Sequence, residues 1–270
     1  MNIFAGGISI EILLKFESQF KNLASFKTSI LPEYSIKTIS EDFYYDETKL
    51  ISSNKYFKKY DTDLGILQIN FIDDRELGKI LYKGKETLIY LSDNSFFTEY
   101  MLAQYAFAYF INNYTNNIFI HSSSIKIDEK GILLLAKSGV GKSTLRRELE
   151  EIGFLCINDD KNIIEFKNNE IYILPNPFAG KHFVSTNTSA KLTALVFIKQ
   201  GLDNKISILN KNDALIRLLS QILLPSKKNK EIWNQNIDKL LNLTLIEYSC
   251  NISSDTARIL YEFLEKDLWN

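Results

Sequence analysis

The order of apolar and polar residues changes along this chain of 270 residues. In the first third, short apolar segments with strand periodicity are separated by turn residues, which predicts a series of β-strands. The clearest segments are GGISIEI, YSIKTI, GILQINFI and KILYKGKETLIYL. The last has the pattern of a hairpin that turns at Lys83-Gly84. An aromatic-rich segment at about 95–113 is apolar on most faces and predicts a buried helix.

Further along, predicted strands and helices alternate. NIFIHSSSIKI predicts one strand, and GILLLA predicts a second strand that is covered on both faces of a sheet. KSTLRRELEE predicts an amphipathic helix that ends at Gly153, and FLCI predicts a third strand. A strand, a helix and a strand within about 30 residues predict a βαβ unit with parallel strands and a right-handed crossover.

The pattern therefore predicts two domains. We expect residues 1–114 to form a strand-rich α+β domain that ends in the buried helix, and residues 115–270 to form an α/β domain with a mixed sheet. The remaining predicted elements of the second domain are a hairpin NIIEF–EIYIL across Lys167 to Asn169, the strands LTALVFIK, KISIL and LTLIEYS, and helices at about 213–223, around Trp233 and from Ser254.

Composition narrows the class of protein. The net charge is −1 with both signs interspersed, so we expect no nucleic-acid partner. The longest apolar window, 100–111, is too short to cross a bilayer, and the first residues lack the features of a signal peptide, so no membrane partner is expected. Cys156 and Cys250 lack CxxC spacing and are expected to be reduced thiols of a cytoplasmic protein.

Residues 136–143, AKSGVGKS, have the spacing of a Walker A phosphate loop with alanine at its first glycine position. Such a loop wraps backbone N–H groups around a β-phosphate at a helix N-terminus. The nucleotide-binding residues predicted here are Ser138, Gly139, Val140, Gly141, Lys142, Ser143 and Thr144. Lys142 is expected to bridge the β- and γ-phosphates, and Ser143 to ligate Mg²⁺. The alternative is an ordinary glycine-rich turn, and Ala136 fits the loop only where the backbone φ is negative.

Asp159 and Asp160 follow the strand FLCI, and Asp159 lies 17 residues after Lys142. Because that strand is expected to run parallel to the strand before the loop, the two carboxylates should lie at the same edge of the sheet as the phosphates. There one carboxylate can bind Mg²⁺ and the other can accept a proton from an attacking hydroxyl. The alternative is a polar turn, which is how we interpret the equally conspicuous pair Asp73-Asp74.

Asn210-Lys211-Asn212-Asp213 spells the guanine-reading NKxD motif of small GTPases. That class also needs a DxxG after the phosphate loop, and no aspartate from Asp159 onward is followed by glycine at that spacing. We favour a helix N-terminus with Asn212 or Asp213 as the capping residue.

Together these residues resemble the HPr kinase/phosphorylase family, in particular its shorter relatives, some of which modify ribosomally made peptides. The matching order is a strand with His121, the strand and loop GILLLAKSGVGKST, the helix RRELEEIG, the paired aspartates of FLCINDD, a hairpin, and LPNPFAGKHF. The resemblance covers about residues 118–264, whereas the first hundred residues carry no specific motif.

The resemblance implies a P-loop kinase domain with a mixed sheet. It assigns Asp159 as the general base toward a seryl hydroxyl, and places Asp160 and Ser143 near Mg²⁺, with Lys142 on the phosphates. His121 corresponds to a family histidine near the nucleotide and is a candidate catalytic residue, the alternative being a satisfied buried side chain. Lys181 and His182 are candidates for contact with substrate or transferred phosphate, the alternative being a surface loop. The chain lacks the arginine-glycine-rich segment of the full enzymes, so neither HPr as substrate nor reverse phosphorolysis is expected.

The leading hypothesis is an ATP- and Mg²⁺-dependent kinase that phosphorylates a Ser or Thr hydroxyl of a peptide or protein. The hypothesis is compatible with a homo-oligomer. One alternative keeps this chemistry with a small-molecule hydroxyl as acceptor. The other is a non-catalytic, nucleotide-binding regulatory module.

Overall fold

A computed structural model describes residues 1–41, 43, 49–137, 139–180, 183–222, 230–251 and 255–269. The chain separates into two compact units, Met1–Phe110 and Ile111–Asn270. Both are built mainly from strands, with a few helices. Among the described residues, no helix combines the length and hydropathy that crossing a bilayer requires.

The first unit contains a mixed sheet of eight described strands in the order β1-β2-β3-β8-β7-β6-β5-β4. Strand β3 pairs in parallel with β2 and β8, and the other neighbours are antiparallel. The strands are β1 (Asn2–Ala5), β2 (Ile8–Leu13), β3 (Tyr34–Ile39), β4 (Lys49–Ser53), β5 (Phe57–Thr62), β6 (Gly65–Ile72), β7 (Arg75–Lys83) and β8 (Glu86–Leu91). Two short 3₁₀ helices, Glu17–Gln19 and Lys21–Phe26, follow β2.

The predicted features of this unit are present, with one shift. Asp73 and Asp74 form the exposed two-residue turn between β6 and β7, with φ of 47° and 62°, as predicted. The next hairpin turns at Gly84 and Lys85 instead of Lys83 and Gly84, because Lys83 pairs with Glu86. Gly84, at φ +60°, takes the first turn position, where a left-handed backbone favours glycine.

The predicted aromatic helix is α1 (Phe96–Tyr114), which crosses the boundary between the units. Its apolar side chains are largely buried, including Phe107 and Phe110. Glu99 is also buried, and its carboxylate accepts the backbone N–H groups of Lys15 and Phe16, both at 2.7 Å.

The second unit contains a mixed sheet of nine described strands in which the long strand β15 pairs with three others. On one side of β15 the order is β11-β10-β12, on the other β17-β16, and β14-β13-β9 extends from its first residues. The strands are β9 (Ile118–His121), β10 (Ser123–Ile127), β11 (Lys130–Leu135), β12 (Leu155–Asn158), β13 (Lys161–Lys167), β14 (Glu170–Leu174), β15 (Ala190–Gln200), β16 (Lys205–Ile208) and β17 (Thr244–Cys250).

Helices cover both faces of this sheet. The helices are α2 (Lys142–Glu151), α3 (Lys211–Leu219), α4 (Lys230–Leu241) and α5 (Thr256–Leu264), followed by a π-helical turn at Glu265–Trp269. Leu145 of α2 and Leu260 of α5 belong to one apolar cluster, and Leu218 of α3 and Leu240 of α4 to the other. Successive β11 residues alternate between these clusters, so β11 is buried on both faces, as predicted.

The strand predicted from NIFIHSSSIKI is in fact two strands, β9 and β10, with a break at Ser122. Strand β9 pairs with β13, whereas β10 pairs with β11 and β12. The side-chain amide of Asn162 donates to the carbonyl and the hydroxyl of Ser122, at 2.6 and 3.0 Å. These bonds satisfy the buried serine where the chain leaves one part of the sheet for another. The apolar pattern of the segment does not reveal the break.

Strands β11 and β12 are parallel, as the strand-helix-strand pattern predicts. They are not neighbours, because β10 lies between them and is antiparallel to both. The carboxyl ends of β11 and β12 and the start of β10 consequently meet at one edge of the sheet.

Cys156 and Cys250 are buried thiols, as predicted. Burial raises the pKa of the Cys156 thiol to about 12, so it is protonated at neutral pH.

Helix α3 begins two residues earlier than predicted, and the expectation that Asn212 or Asp213 caps it is wrong. The cap is Asn210, whose Oδ1 accepts the backbone N–H of Asp213 at 3.0 Å. The Asn210 amide also donates to the Asp213 carboxylate at 2.7 Å. Asn210 has extended backbone angles, which an N-cap requires and a residue inside the helix cannot adopt.

This cap gives a direct test of the fold. Asn210→Ala should lower the free energy of unfolding by about 1 kcal/mol, because the first turn of α3 loses its side-chain acceptor. Asn212→Ala, a matched change two residues further on, should alter it by less than about 0.5 kcal/mol. Urea denaturation followed by circular dichroism measures both. A larger loss from Asn212→Ala would contradict the cap described here.

Candidate functional site

Two glycines of the loop between β11 and α2 have a left-handed backbone. Gly139 and Gly141 have φ of 83° and 105°, values that side chains disfavour. Ala136 is not among the described residues with positive φ, so alanine fits the first position of the motif. Ser138 lies outside the described residues.

Helix α2 starts at Lys142 with Gly141 as its N-cap, and no side chain caps it in the described structure. The carbonyl of Gly141 accepts the N–H groups of Thr144 and Leu145, both at 3.0 Å. The first N–H groups of a helix and its dipole attract an anion, and an uncapped N-terminus leaves room for one. Ser143 and Thr144 lie in this first turn and are partly exposed.

Lys142 is nearly buried, and its ammonium group has no hydrogen-bond partner in the described part of the chain. Burial lowers the pKa of Lys142 to about 8, against the opposing effect of the Asp160 carboxylate. The charge of Lys161 lowers it further, and that of Asp159 raises it. A buried ammonium without a partner is costly, so the geometry favours a ligand that brings negative charge.

Asp159 lies at the same edge and is 5% exposed. Its Oδ1 accepts the backbone N–H of Gly180 at 2.7 Å. Its own N–H donates to the carbonyl of Val184 at 3.2 Å, and its carbonyl accepts the Ser123 hydroxyl at 2.7 Å. The position of Asp159 is therefore fixed by Gly180, by Val184 and by the start of β10.

Both carboxylate oxygens of Asp160 have partners. Oδ1 lies 3.1 Å from His121 Nε2, and Oδ2 accepts Lys161 Nζ at 2.6 Å. Burial alone would raise the pKa of Asp160, but His121 and Lys161 outweigh it and hold the pKa well below its usual range. Asp160 is therefore ionised at neutral pH.

His121, at the end of β9, acts on the site through Asp160. Its hydrogen bond to Asp160 raises the pKa of the imidazole, but burial and the charges of Lys161 and Lys142 outweigh it, so the net pKa is lowered. A neutral imidazole that donates its Nε2–H to the carboxylate fits this environment.

Asn158, the last residue of β12, organises the turn that carries the two aspartates. It is fully buried, and its Oδ1 accepts the N–H groups of Asp160 at 3.0 Å and Lys161 at 2.9 Å. Its Nδ2 donates to the carbonyls of Asn176 at 3.2 Å and Phe178 at 2.8 Å. One side chain thereby joins the aspartate turn to the 175–185 loop.

Gly180 shows how closely that loop approaches the aspartates. A Cβ at this position would lie 2.8 Å from the Cβ of Asp160 and 3.2 Å from Oδ1 of Asp159. Only a residue without a side chain permits this approach. Lys181 and His182, the predicted substrate contacts that follow, lie outside the described residues.

The structure thus brings together Lys142, His121, Asp159 and Asp160 from the predicted site. Sequence reasoning missed Asn158, Ser123, Lys161 and Gly180. The available signal for Asn158 was a polar residue at the end of an otherwise apolar strand, immediately before the paired aspartates. Asn210 and Asp213 bond to each other at the start of α3, which agrees with the capping interpretation of NKxD.

Comparisons with known proteins leave the family open. No protein-family model matches the chain. No curated protein matches it either. A similar solved structure is the HPr(Ser) kinase/phosphatase from Coxiella burnetii, with 15% identity and a TM-score of 0.27, covering 46% of this chain and 88% of that one. A similarity of this size carries no argument about fold or function, so membership of the HPr kinase family stays a prediction.

Proposed function

We propose that the protein is an ATP-dependent kinase that transfers the γ-phosphoryl group to a Ser or Thr hydroxyl of a peptide or protein. The observation that carries the proposal is Lys142, whose buried ammonium has no partner among the described residues. It lies at an uncapped helix N-terminus behind two glycines with positive φ. Phosphate is the ligand that such a combination suits.

In this proposal the nucleotide phosphates lie against the 136–143 loop and the first turn of α2. Lys142 contacts the β- and γ-phosphates, which supply the hydrogen-bond acceptors that its buried ammonium lacks among the described residues. Val140 and the flanking glycines contribute backbone N–H groups, and Ser143 and Thr144 contribute the N-terminus of the helix.

Magnesium would arrive with the nucleotide. The described residues contain no cluster of three or more His, Cys, Asp or Glu side chains suited to a metal ion, so protein side chains alone would not hold it. The Ser143 hydroxyl and an Asp160 oxygen are the hard oxygen donors that Mg²⁺ prefers, and phosphate oxygens would complete the set. Bound there, Mg²⁺ would neutralise charge on the phosphates. Each Asp160 oxygen accepts one hydrogen bond and keeps a second lone pair, which would face the metal ion.

Asp159 is the better candidate for the general base. Its neighbour Asp160 has a pKa held low by His121 and Lys161 and is a weak proton acceptor. In the transfer, the acceptor oxygen forms a bond to the γ-phosphorus while the bond from that phosphorus to the bridging oxygen breaks. ADP leaves, and the hydroxyl proton passes to Asp159. The Gly180 N–H at 2.7 Å fixes the carboxylate for this role.

His121 then has a positioning role, since it donates to Asp160. Lys181 and His182 remain proposed contacts of the acceptor, because they directly follow Gly180, whose N–H bonds to Asp159.

The test is transfer of labelled phosphate from γ-labelled ATP and Mg²⁺ into a lysate of the source cells. Wild type should label a peptide or protein band, and Asp159→Asn should lower labelling by about 10²-fold or more because the base is lost. Asp159→Asn should still bind nucleotide, whereas Lys142→Met should bind it weakly. Asp74→Asn, in the exposed aspartate pair of the first unit, is the matched control and should label as wild type does.

The outcomes separate the acceptor classes. Label confined to small molecules would replace the peptide by a metabolite as acceptor. Nucleotide binding without any transfer would favour the regulatory module. Full transfer by Asp159→Asn would remove that residue from the mechanism.

A second prediction follows from the pKa of about 8 that burial gives Lys142. Phosphate binds the protonated form, so binding raises this pKa. ATP affinity should therefore be highest below pH 8 and fall as the pH rises from 8 to 9.5, by up to about tenfold per unit. Calorimetry in two buffers of different ionisation enthalpy should show proton uptake on binding near pH 8.5.

The control for this pH dependence is Lys142→Met, which should bind ATP more weakly and with no fall over the same interval. A pH dependence that persists unchanged in Lys142→Met would assign it to another group.

A further inference from the structure

Lys161 is a cation of the site that the proposed function has not yet used. It begins β13, immediately after the paired aspartates, and its side chain is 20% exposed. Its ammonium donates to Oδ2 of Asp160 at 2.6 Å. An ammonium carries three N–H groups, and Asp160 is the only partner that the described residues give it. Two of the three N–H groups of this partly buried ammonium therefore have no partner among the described residues.

The backbone of Lys161 is fixed at the edge of the sheet. Its N–H donates to Asn158 Oδ1 at 2.9 Å, and its carbonyl accepts the Asn176 side-chain amide at 2.9 Å. These two bonds hold the backbone of Lys161, and the Asp160 contact holds its ammonium group. The ammonium is thus positioned before any ligand binds.

Lys161 is also close to Lys142. Its charge lowers the pKa of Lys142 and the pKa of His121, so all three groups share one electrostatic environment around Asp160. Two lysines that repel each other at a partly buried edge are stabilised together by an anion between or beside them.

We propose that Lys161 is a second phosphate-binding lysine. One of its N–H groups bonds to Asp160, and the other two donate to a phosphate oxygen of the nucleotide. The inference rests on the proposed function, because the phosphate is that of ATP. Its rival is a purely local role, in which Lys161 only neutralises Asp160.

A double-mutant cycle separates the two roles. Calorimetry would measure ATP affinity for wild type, Lys161→Met, Asp160→Asn and the double variant, with EDTA present and at high ionic strength. The chelator removes any contribution of metal, and the salt screens attraction that does not depend on contact. Lys167→Met, at the exposed end of β13, is the matched control, and thermal melting would confirm that each variant is folded.

Lys161→Met should weaken ATP binding about tenfold or more, as expected for the loss of a charge-assisted hydrogen bond, and Lys167→Met should not change it. The decisive comparison is between the ATP affinity of the double variant and that of Asp160→Asn alone. A phosphate contact predicts that removing Lys161 still weakens binding when Asp160 is already neutral. Equal affinities in that pair, or wild-type affinity in Lys161→Met, would overturn the inference.

These outcomes are distinct from failure of the proposed function. If wild type binds no nucleotide, both proposals fall. If wild type binds ATP with a dependence on Lys142 but not on Lys161, only the inference about Lys161 falls.

Discussion

The candidate site depends on the four hydrogen bonds of the Asn158 side chain. Its carbonyl oxygen fixes the backbone of Asp160 and Lys161, and its amide fixes the carbonyls of Asn176 and Phe178. A buried amide with all its partners is rigid, whereas the loss of one partner leaves an unsatisfied group. This one side chain therefore sets where the carboxylates lie relative to the first turn of α2 and how closely Gly180 approaches them.

Around that fixed turn, charged side chains that are unfavourable in a protein interior lie beside groups of opposite charge or hydrogen-bond partners. Asp160 stays ionised because His121 and Lys161 occupy its oxygens. Lys142 is the exception, since its ammonium has no hydrogen-bond partner in the described structure. Asp160 is held as an anion by its two partners, and Asp159 is fixed as an acceptor by the N–H of Gly180. Adjacent residues of one type acquire different roles because their partners differ.

Local patterns in the sequence were sufficient for most elements of the fold. Apolar periodicity located β11, α2 and β12, and the spacing of glycines and lysine located the loop. The break at Ser122 was not visible, because it depends on Asn162, which is 40 residues away. The N-cap of α3 was misplaced because Asn210, Asn212 and Asp213 all have suitable side chains, and only the backbone angles distinguish them. In the site, the paired aspartates could be predicted from position, whereas the bonds from Asn176 to Lys161 and from Gly180 to Asp159 join residues 15 and 21 positions apart, which no local pattern encodes.

Because β10 lies between β11 and β12, the length of α2 determines where the chain re-enters the sheet. The chain leaves the sheet at the end of β11 and returns in β12, two strand spacings away, or about 10 Å across the sheet. One added residue in α2 would advance its end by about 1.5 Å and rotate it by about 100°. Asn158 and the aspartates would then no longer meet their partners at the edge. The left-handed backbone of Asn168 and Asn169 limits only which residues their hairpin turn accepts, whereas a change in the length of α2 would displace the site.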